Sequence, residues 1–247
     1  MLHNPDFWMV ALPVIFIGYF MFGVSGFGSS LVTVPLLSHV AAPAELLPML
    51  VLLDICAAAV LGARFRSGVA GTEIRRLYPF TLLGAALGVS LLVSLPREAL
   101  MIAIGVFTLA YAAYQLYDPV DPRPVHHYWA APAGFFGGVM TTLFGAGAPP
   151  YVMYLTRRVI DKAGLRATIA AMAVLAIGAR LLAFTGAGLM FRAEVWQVFL
   201  LLLPVGALGL YCGHRLHLRI SRAQMLRTIF VMLLVSGGSL LARALAQ

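Results

Sequence analysis

Eight apolar runs, at 7–38, 46–62, 77–95, 99–117, 128–155, 166–189, 195–213 and 226–246, fill most of this chain. A helix needs roughly 20 apolar residues to cross the hydrocarbon of a bilayer. Residues are 62% hydrophobic and only 11% charged, against about 45–50% and about 25% in soluble domains. One soluble core cannot hide that much apolar surface, so lipid must cover the rest. The runs predict an all-α polytopic membrane protein with one membrane domain over 1–247.

Charge and cysteine content narrow the class further. The formal charge of +8 is read as basic loops of a membrane protein. No soluble basic domain is present to bind nucleic acid. Cys56 and Cys212 both lie in apolar runs and suggest neither a disulfide framework nor a metal cluster. The start, Met1 to Asp6, lacks the positive region of a secretory signal, so the first run is expected to be retained. No cofactor or metal is expected. His126-His127 has the residue type for a metal ligand, but a solvated loop pair is the simpler reading.

An internal repeat runs through both halves, about 7–117 and about 128–246. Gly18, Gly26 and Gly28 recur as Gly137, Gly145 and Gly147, at an offset of 119. Farther on the offset becomes 125, where Gly88 and Arg97 align with Gly213 and Arg222. Each half thus holds one glycine-broken segment followed by three plainer ones. Arginine placement decides how the second segment lies. If all eight runs cross, the basic loop residues divide seven against nine, without bias. Let 128–155 instead leave on the side it entered. Arg64, Arg66, Arg75, Arg76, Arg123, Arg157, Arg158, Lys162, Arg166, Arg215, Arg219, Arg222 and Arg227 then share one side. Only Arg97, Arg192 and Arg243 face the other. That bias is what the positive-inside rule expects. So 128–155 is predicted to be a re-entrant hairpin, and the repeat extends this to 7–38. With three full spans per half, the two repeats are expected to be inverted.

Broken helices at matching places in inverted halves point to a transporter's binding site. The first break reads Gly26-Phe27-Gly28-Ser29-Ser30-Leu31, the second Gly145-Ala146-Gly147-Ala148-Pro149-Pro150-Tyr151. Glycine permits the turn. Ser29 and Ser30 are candidate N-caps, and proline is favoured in a first helical turn. Both breaks therefore end in helix-start signals. A helix N-terminus attracts anions, so these thirteen residues are the candidate substrate-binding set, with the anion expected between the two tips. The competing reading is close helix packing through the glycines. Phe27, Phe144, Tyr151 and Tyr154 flank the breaks, as pocket lining or as packing. Thr33, Thr141 and Thr142 either donate to a ligand or bond back along their own helices.

Ionisable residues inside spans are functional candidates. Arg180 is a candidate substrate-binding cation and Asp54 a candidate proton carrier; the alternatives are that they pair with each other or with backbone, or that Arg180 snorkels outward. Glu45 suits a helix first turn. Enzyme readings lack support. Gly23-Val24-Ser25-Gly26 has the Gly-x-Ser-Gly form of rhomboid proteases, but no histidine base lies inside a predicted run. No nucleotide-binding loop is present either.

Gly23-Val-Ser-Gly26-Phe-Gly28-Ser-Ser-Leu-Val-Thr-Val-Pro35 and Gly137-Gly-Val-Met-Thr-Thr-Leu-Phe-Gly145-Ala-Gly147-Ala-Pro149 resemble the paired motifs of the sulfite exporter TauE/SafE family, also called the toluene-sulfonate uptake permeases. Leu165-Arg166-Ala-Thr168 and Gly206-Ala-Leu-Gly209 with Gly213 fit too. The chain departs at Ser29 and at Ala148-Pro149, where the family often carries a further glycine. The resemblance implies transport of sulfite, sulfonates or related oxyanions. Expected partners are a small anionic substrate and the lipid bilayer of the cell inner (plasma) membrane. The expected function is a secondary transporter, with proton coupling through Asp54; an anion channel or a non-transporting scaffold are the alternatives. The oligomeric state is left open, a homodimer among the arrangements allowed.

Overall fold

A computed structural model describes residues 5–25, 28–62, 68–117, 125–159 and 161–216, with a few helical positions near the C-terminus. Gly26, Phe27 and most of the eighth apolar run lie outside the described residues. The described chain is helical: α1 Pro5–Ser25, α2 Ser29–Leu37, α3 Pro43–Gly62, α4 Gly71–Ser94, α5 Arg97–Tyr117, α6 Ala130–Phe144, α7 Ala148–Leu155, α8 Lys162–Gly186 and α9 Ala193–Leu216.

Local chemistry explains where helices start. Pro43 opens α3 and Glu45 sits in its first turn. A proline there loses no helical hydrogen bond, and an acidic side chain favours the positive helix end. Asp161 caps α8, accepting from the Gly164 N–H at 2.6 Å. Among the described residues five helices are long and apolar enough to cross a membrane: α1, α3, α4, α8 and α9. Several carry internal prolines, Pro13, Pro48, Pro79 and Pro204 among them. Transmembrane helices tolerate these where neighbours bond the freed backbone groups.

Each glycine-broken segment forms two helices that pack against each other, with unequal arms. The second pairs a 15-residue α6 with an 8-residue α7. Arg158, after α7, donates from Nη1 to the carbonyl of Val125, before α6, at 3.3 Å, so this segment enters and leaves at one end. In the first, Gly18 of α1 faces Thr33 and the Ser29 carbonyl of α2. Here α1, at 21 residues, reaches span length while α2 has only 9.

Two compact units form, and they interleave the sequence halves. One holds residues 1–53, 94–119 and 192–247; the other holds 54–93 and 120–191. In the first unit, α1 and α2 pack with α5 and α9. In the second, α6 and α7 pack with α8, and glycine approaches bring α6 against α4. The helix α3 contributes its residues through Leu53 to the first unit and those from Asp54 to the second.

Each hairpin therefore docks on a helix from the opposite half of the sequence, and glycines make the docking possible. In the second unit a Cβ on Gly84 would overlap the Phe135 carbonyl and sit 3.0 Å from the Val139 nitrogen. In the first, a Cβ on Gly209 would overlap the Phe16 carbonyl and sit 3.1 Å from the Phe20 nitrogen. Phe16 and Phe20 precede Phe135 and Val139 by 119 positions; Gly84 precedes Gly209 by 125. Gly88 and Gly213 repeat the pattern against Val139 and Phe20. The offsets read in the sequence thus recur as contacts. Close backbone approach through small residues is how membrane helices gain packing energy without a hydrophobic driving force.

Gly84→Ala and Gly209→Ala should each destabilise the protein by about 1–3 kcal/mol, because the added methyl meets backbone rather than a movable side chain. Gly178→Ala, where the space is open, should instead be neutral or stabilise by up to about 1 kcal/mol through helix propensity. Thermal unfolding of the purified variants in detergent checks both signs.

Candidate functional site

In the second unit, α6 ends at Gly145, whose φ of 67° lies in the left-handed region. The Gly145 N–H donates to the Thr141 carbonyl at 3.0 Å, and the Ala146 N–H to that of Met140 at 3.4 Å. The first of these is the 5→1 bond of an αL cap, and together they bond carbonyls a helix end otherwise strands. Gly147 then leads into α7, with Pro149 and Pro150 in its first turn. Two of the N–H groups a helix start leaves unbonded are thereby absent, and those of Gly147 and Ala148 are what the turn offers an anion. Gly147 also has a packing reason: a Cβ there would overlap Thr141 Oγ1 and the Gly137 carbonyl.

In the first unit, Gly28 precedes α2 with φ 92° and makes no side-chain cap. The expectation that Ser29 or Ser30 caps this helix is corrected. Both lie inside its first turn, buried. The left-handed backbone at the boundary, which glycine adopts without a Cβ penalty, puts the cap one residue earlier. Leu31 follows, its N–H donating to the Gly28 carbonyl at 3.2 Å.

Each short helix carries a buried hydroxyl close behind its start. Tyr151 of α7 is 2% exposed. Its hydroxyl lies beside Thr81 and Thr141 and has no hydrogen-bond partner among the described residues. Both threonines donate to their own helices, Thr81 to Leu77 at 3.1 Å and Thr141 to Gly137 at 2.7 Å. Thr33 of α2 is fully buried and its Oγ1 likewise lacks a partner among the described residues. A buried polar group without a hydrogen bond costs about 1–3 kcal/mol, so such groups call for an explanation such as a ligand or water. Thr142 donates to Gly138 at 2.9 Å, in keeping with the back-bonding alternative.

The two ionisable residues of the spans meet within the second unit. Arg180 Nη1 donates to Asp54 Oδ2 at 3.3 Å, with the side chains 1% and 5% exposed. The guanidinium also sits 5.3 Å from the centre of the Phe184 ring, a cation–π distance. A charge pair this deep is retained because each charge neutralises the other.

One charged site was missed by the sequence reading. Glu73, in the first turn of α4, is buried and accepts from Arg76, Arg158 and Tyr154. The apolar run begins at 77, whereas the helix begins at Gly71. The signal available was an acidic residue one turn ahead of the run, which marks a helix start. The imidazole centres of His126 and His127 lie 4.0 Å apart with the rings tilted by 38°, and no group of three or more metal-ligating side chains occurs among the described residues.

The fold these observations define is that of a multi-pass membrane protein built around two glycine-broken helical hairpins. The family described as Sulfite exporter TauE/SafE matches residues 11–241. The chain belongs to that family, whose members are membrane transporters and not enzymes. A relative named "Probable inner membrane transporter protein TsaS", from Comamonas testosteroni, is 27% identical over 193 residues. The match covers 78% of this chain and 81% of the relative. No solved structure matches.

Asp54→Ala should destabilise the protein by about 3–5 kcal/mol, since it leaves Arg180 charged and buried without its carboxylate. The double variant Asp54→Ala with Arg180→Leu should recover most of that loss. Unfolding of the two singles and the double, treated as a cycle, checks it.

Proposed function

We propose that this protein is a secondary transporter carrying a sulfonate or other sulfur oxyanion across the inner membrane. The starts of α2 and α7 are the elements that contact substrate. The observation that carries this reading is repeated in each unit. A short helix begins at a glycine break and, within its first five residues, holds a buried hydroxyl without a partner among the described residues. A helix start favours an anion, and an unmet hydroxyl favours an oxygen-rich one. The family and the TsaS relative support a transporter of sulfur-related anions. The inverted arrangement of the two halves belongs to the same proposal.

Proton coupling through Asp54 belongs to the same proposal, and its buried pairing with Arg180 is what supports it. Protonating Asp54 would remove the negative charge that faces Arg180 in an apolar interior. An anion near Arg180 would restore neutrality, so proton and anion favour each other's binding. Their coupling is reciprocal by thermodynamic necessity.

Tyr151→Phe and Thr33→Val each remove one hydroxyl that makes no bond among the described residues. Each should leave thermal stability unchanged or raised while cutting sulfonate uptake into liposomes roughly tenfold, the loss expected for one hydrogen bond to a charged group. Uptake at the wild-type rate in both variants would remove the helix starts from the site. For Asp54→Asn the expected result is uptake that no longer changes with pH; a pH profile matching the wild type overturns the coupling role. Counterflow of labelled sulfonate separates a carrier from a channel.

A further inference from the structure

The Glu73 cluster lies at the end of the second unit where α4 begins and α7 ends. Glu73 Oε1 accepts from Arg76 Nη1 at 2.9 Å and from Arg158 Nη2 at 3.0 Å. Its Oε2 accepts from the Tyr154 hydroxyl. Arg158 is held in place by the bond from Nη1 to the Val125 carbonyl. Its Nε is buried and has no hydrogen-bond partner among the described residues. Three donors thus converge on one carboxylate, and a fourth donor beside them is unused.

Two features separate this cluster from a scaffold staple. First, it is not part of the repeated architecture. The repeat places Pro35 where Tyr154 stands and His39 where Arg158 stands. The first-turn glutamate of α9, Glu194, is exposed, whereas Glu73 is buried. The glycine docking is common to both units; this charge cluster is not. Second, it is within reach of solvent. The side chains of Arg158 and Arg76 are 29% and 38% exposed, while Glu73 is 10% exposed. An anion arriving from water meets the arginines first. The helix α7 spans 8 residues, about 12 Å, so its far end, where the proposed substrate contact lies, is one short helix away.

We propose that Arg158, Arg76 and Tyr154 form an anion receptor for a sulfonate group, and that the Glu73 carboxylate occupies it as a tethered competitor. The Glu73 carboxylate is planar and tethered to α4, and the three donors it receives still leave Arg158 Nε without a bond among the described residues. A sulfonate is untethered and tetrahedral, and its third oxygen lies outside the plane of the other two, where Arg158 Nε can donate to it. Arginine's planar donor fork suits such oxyanions. In transport the receptor is a staging position, where substrate and Glu73 exchange. This rests on the reading that the protein carries sulfur oxyanions, but its test does not need flux.

The test uses the full-length protein in detergent, with methanesulfonate as probe and sodium chloride at matched ionic strength as control. Glu73→Ala empties the receptor and leaves its two cations uncompensated. Methanesulfonate should raise the Tm of Glu73→Ala saturably, by several degrees more than it raises that of the wild type. Adding Arg158→Gln to Glu73→Ala should abolish the extra shift. A shift in Glu73→Ala no larger than in wild type overturns the receptor and leaves Glu73 a structural staple. So does an extra shift that survives Arg158→Gln. Should Glu73→Ala fail to fold, Glu73→Gln keeps the shape but removes the competing charge. Its Kd for methanesulfonate should be at least about tenfold tighter than that of the wild type, by analogy with the removal of a competing bound anion. An equal or weaker Kd overturns the proposal. A wild type without sulfonate flux, together with the Glu73→Ala shift, sinks only the transport reading. Flux without the shift sinks only the receptor.

Discussion

Hydrocarbon offers a backbone N–H or C=O nothing to bond, and each unbonded group there costs several kcal/mol. Every notable feature of this chain answers to that constraint. It interrupts helices at two places in apolar segments, and each interruption must be bonded or covered. At the second, Gly145 turns left-handed and ties off the carbonyls of Met140 and Thr141. Pro149 and Pro150 then remove two N–H groups from the start of α7. At the first, Gly28 supplies the left-handed turn and α2 begins with buried serines.

Bonding alone does not cover a short helix; protein must lie against it. Glycine provides that cover. Gly84 and Gly88 of α4 admit the backbone of α6, and Gly209 and Gly213 of α9 admit that of α1. Each hairpin is thus seated on a helix from the other half of the sequence, so neither half makes a unit alone. Polar chemistry is distributed less evenly. Where Tyr151, Tyr154 and Arg158 stand in the second hairpin, the repeat has Val32, Pro35 and His39 in the first. The glycine docking recurs in both units, while the polar groups described in the second hairpin have different residue types at the offset of 119.

Much of this was legible in the residues. Apolar run length located the helices, and the glycine offset of 119 paired the breaks. The arginine bias marked 128–155 as a segment that leaves on the side it entered, and the Arg158–Val125 bond links the residues just before α6 and just after α7. These features are local: a span is a matter of length and hydropathy, and a break is a matter of glycine and proline backbone chemistry. The cap at Gly28 was misplaced by one residue because serine's capping preference is statistical, while the left-handed backbone at the boundary is a geometric demand. Glu73 was passed over because it stands outside the apolar run, and hydropathy cannot see a carboxylate that a helix carries inward.

The sequence by itself determined that this chain lives in a membrane, where its helices break, and that the breaks are related. Only the tertiary structure decided which helix receives each hairpin, and which charges meet. Asp54 and Arg180 are 126 positions apart, and Glu73 is 85 from Arg158. A buried charge is compensated by whatever packing brings within a few ångströms of it. Residue type can mark a charge as needing a partner; only the assembled helices can supply one.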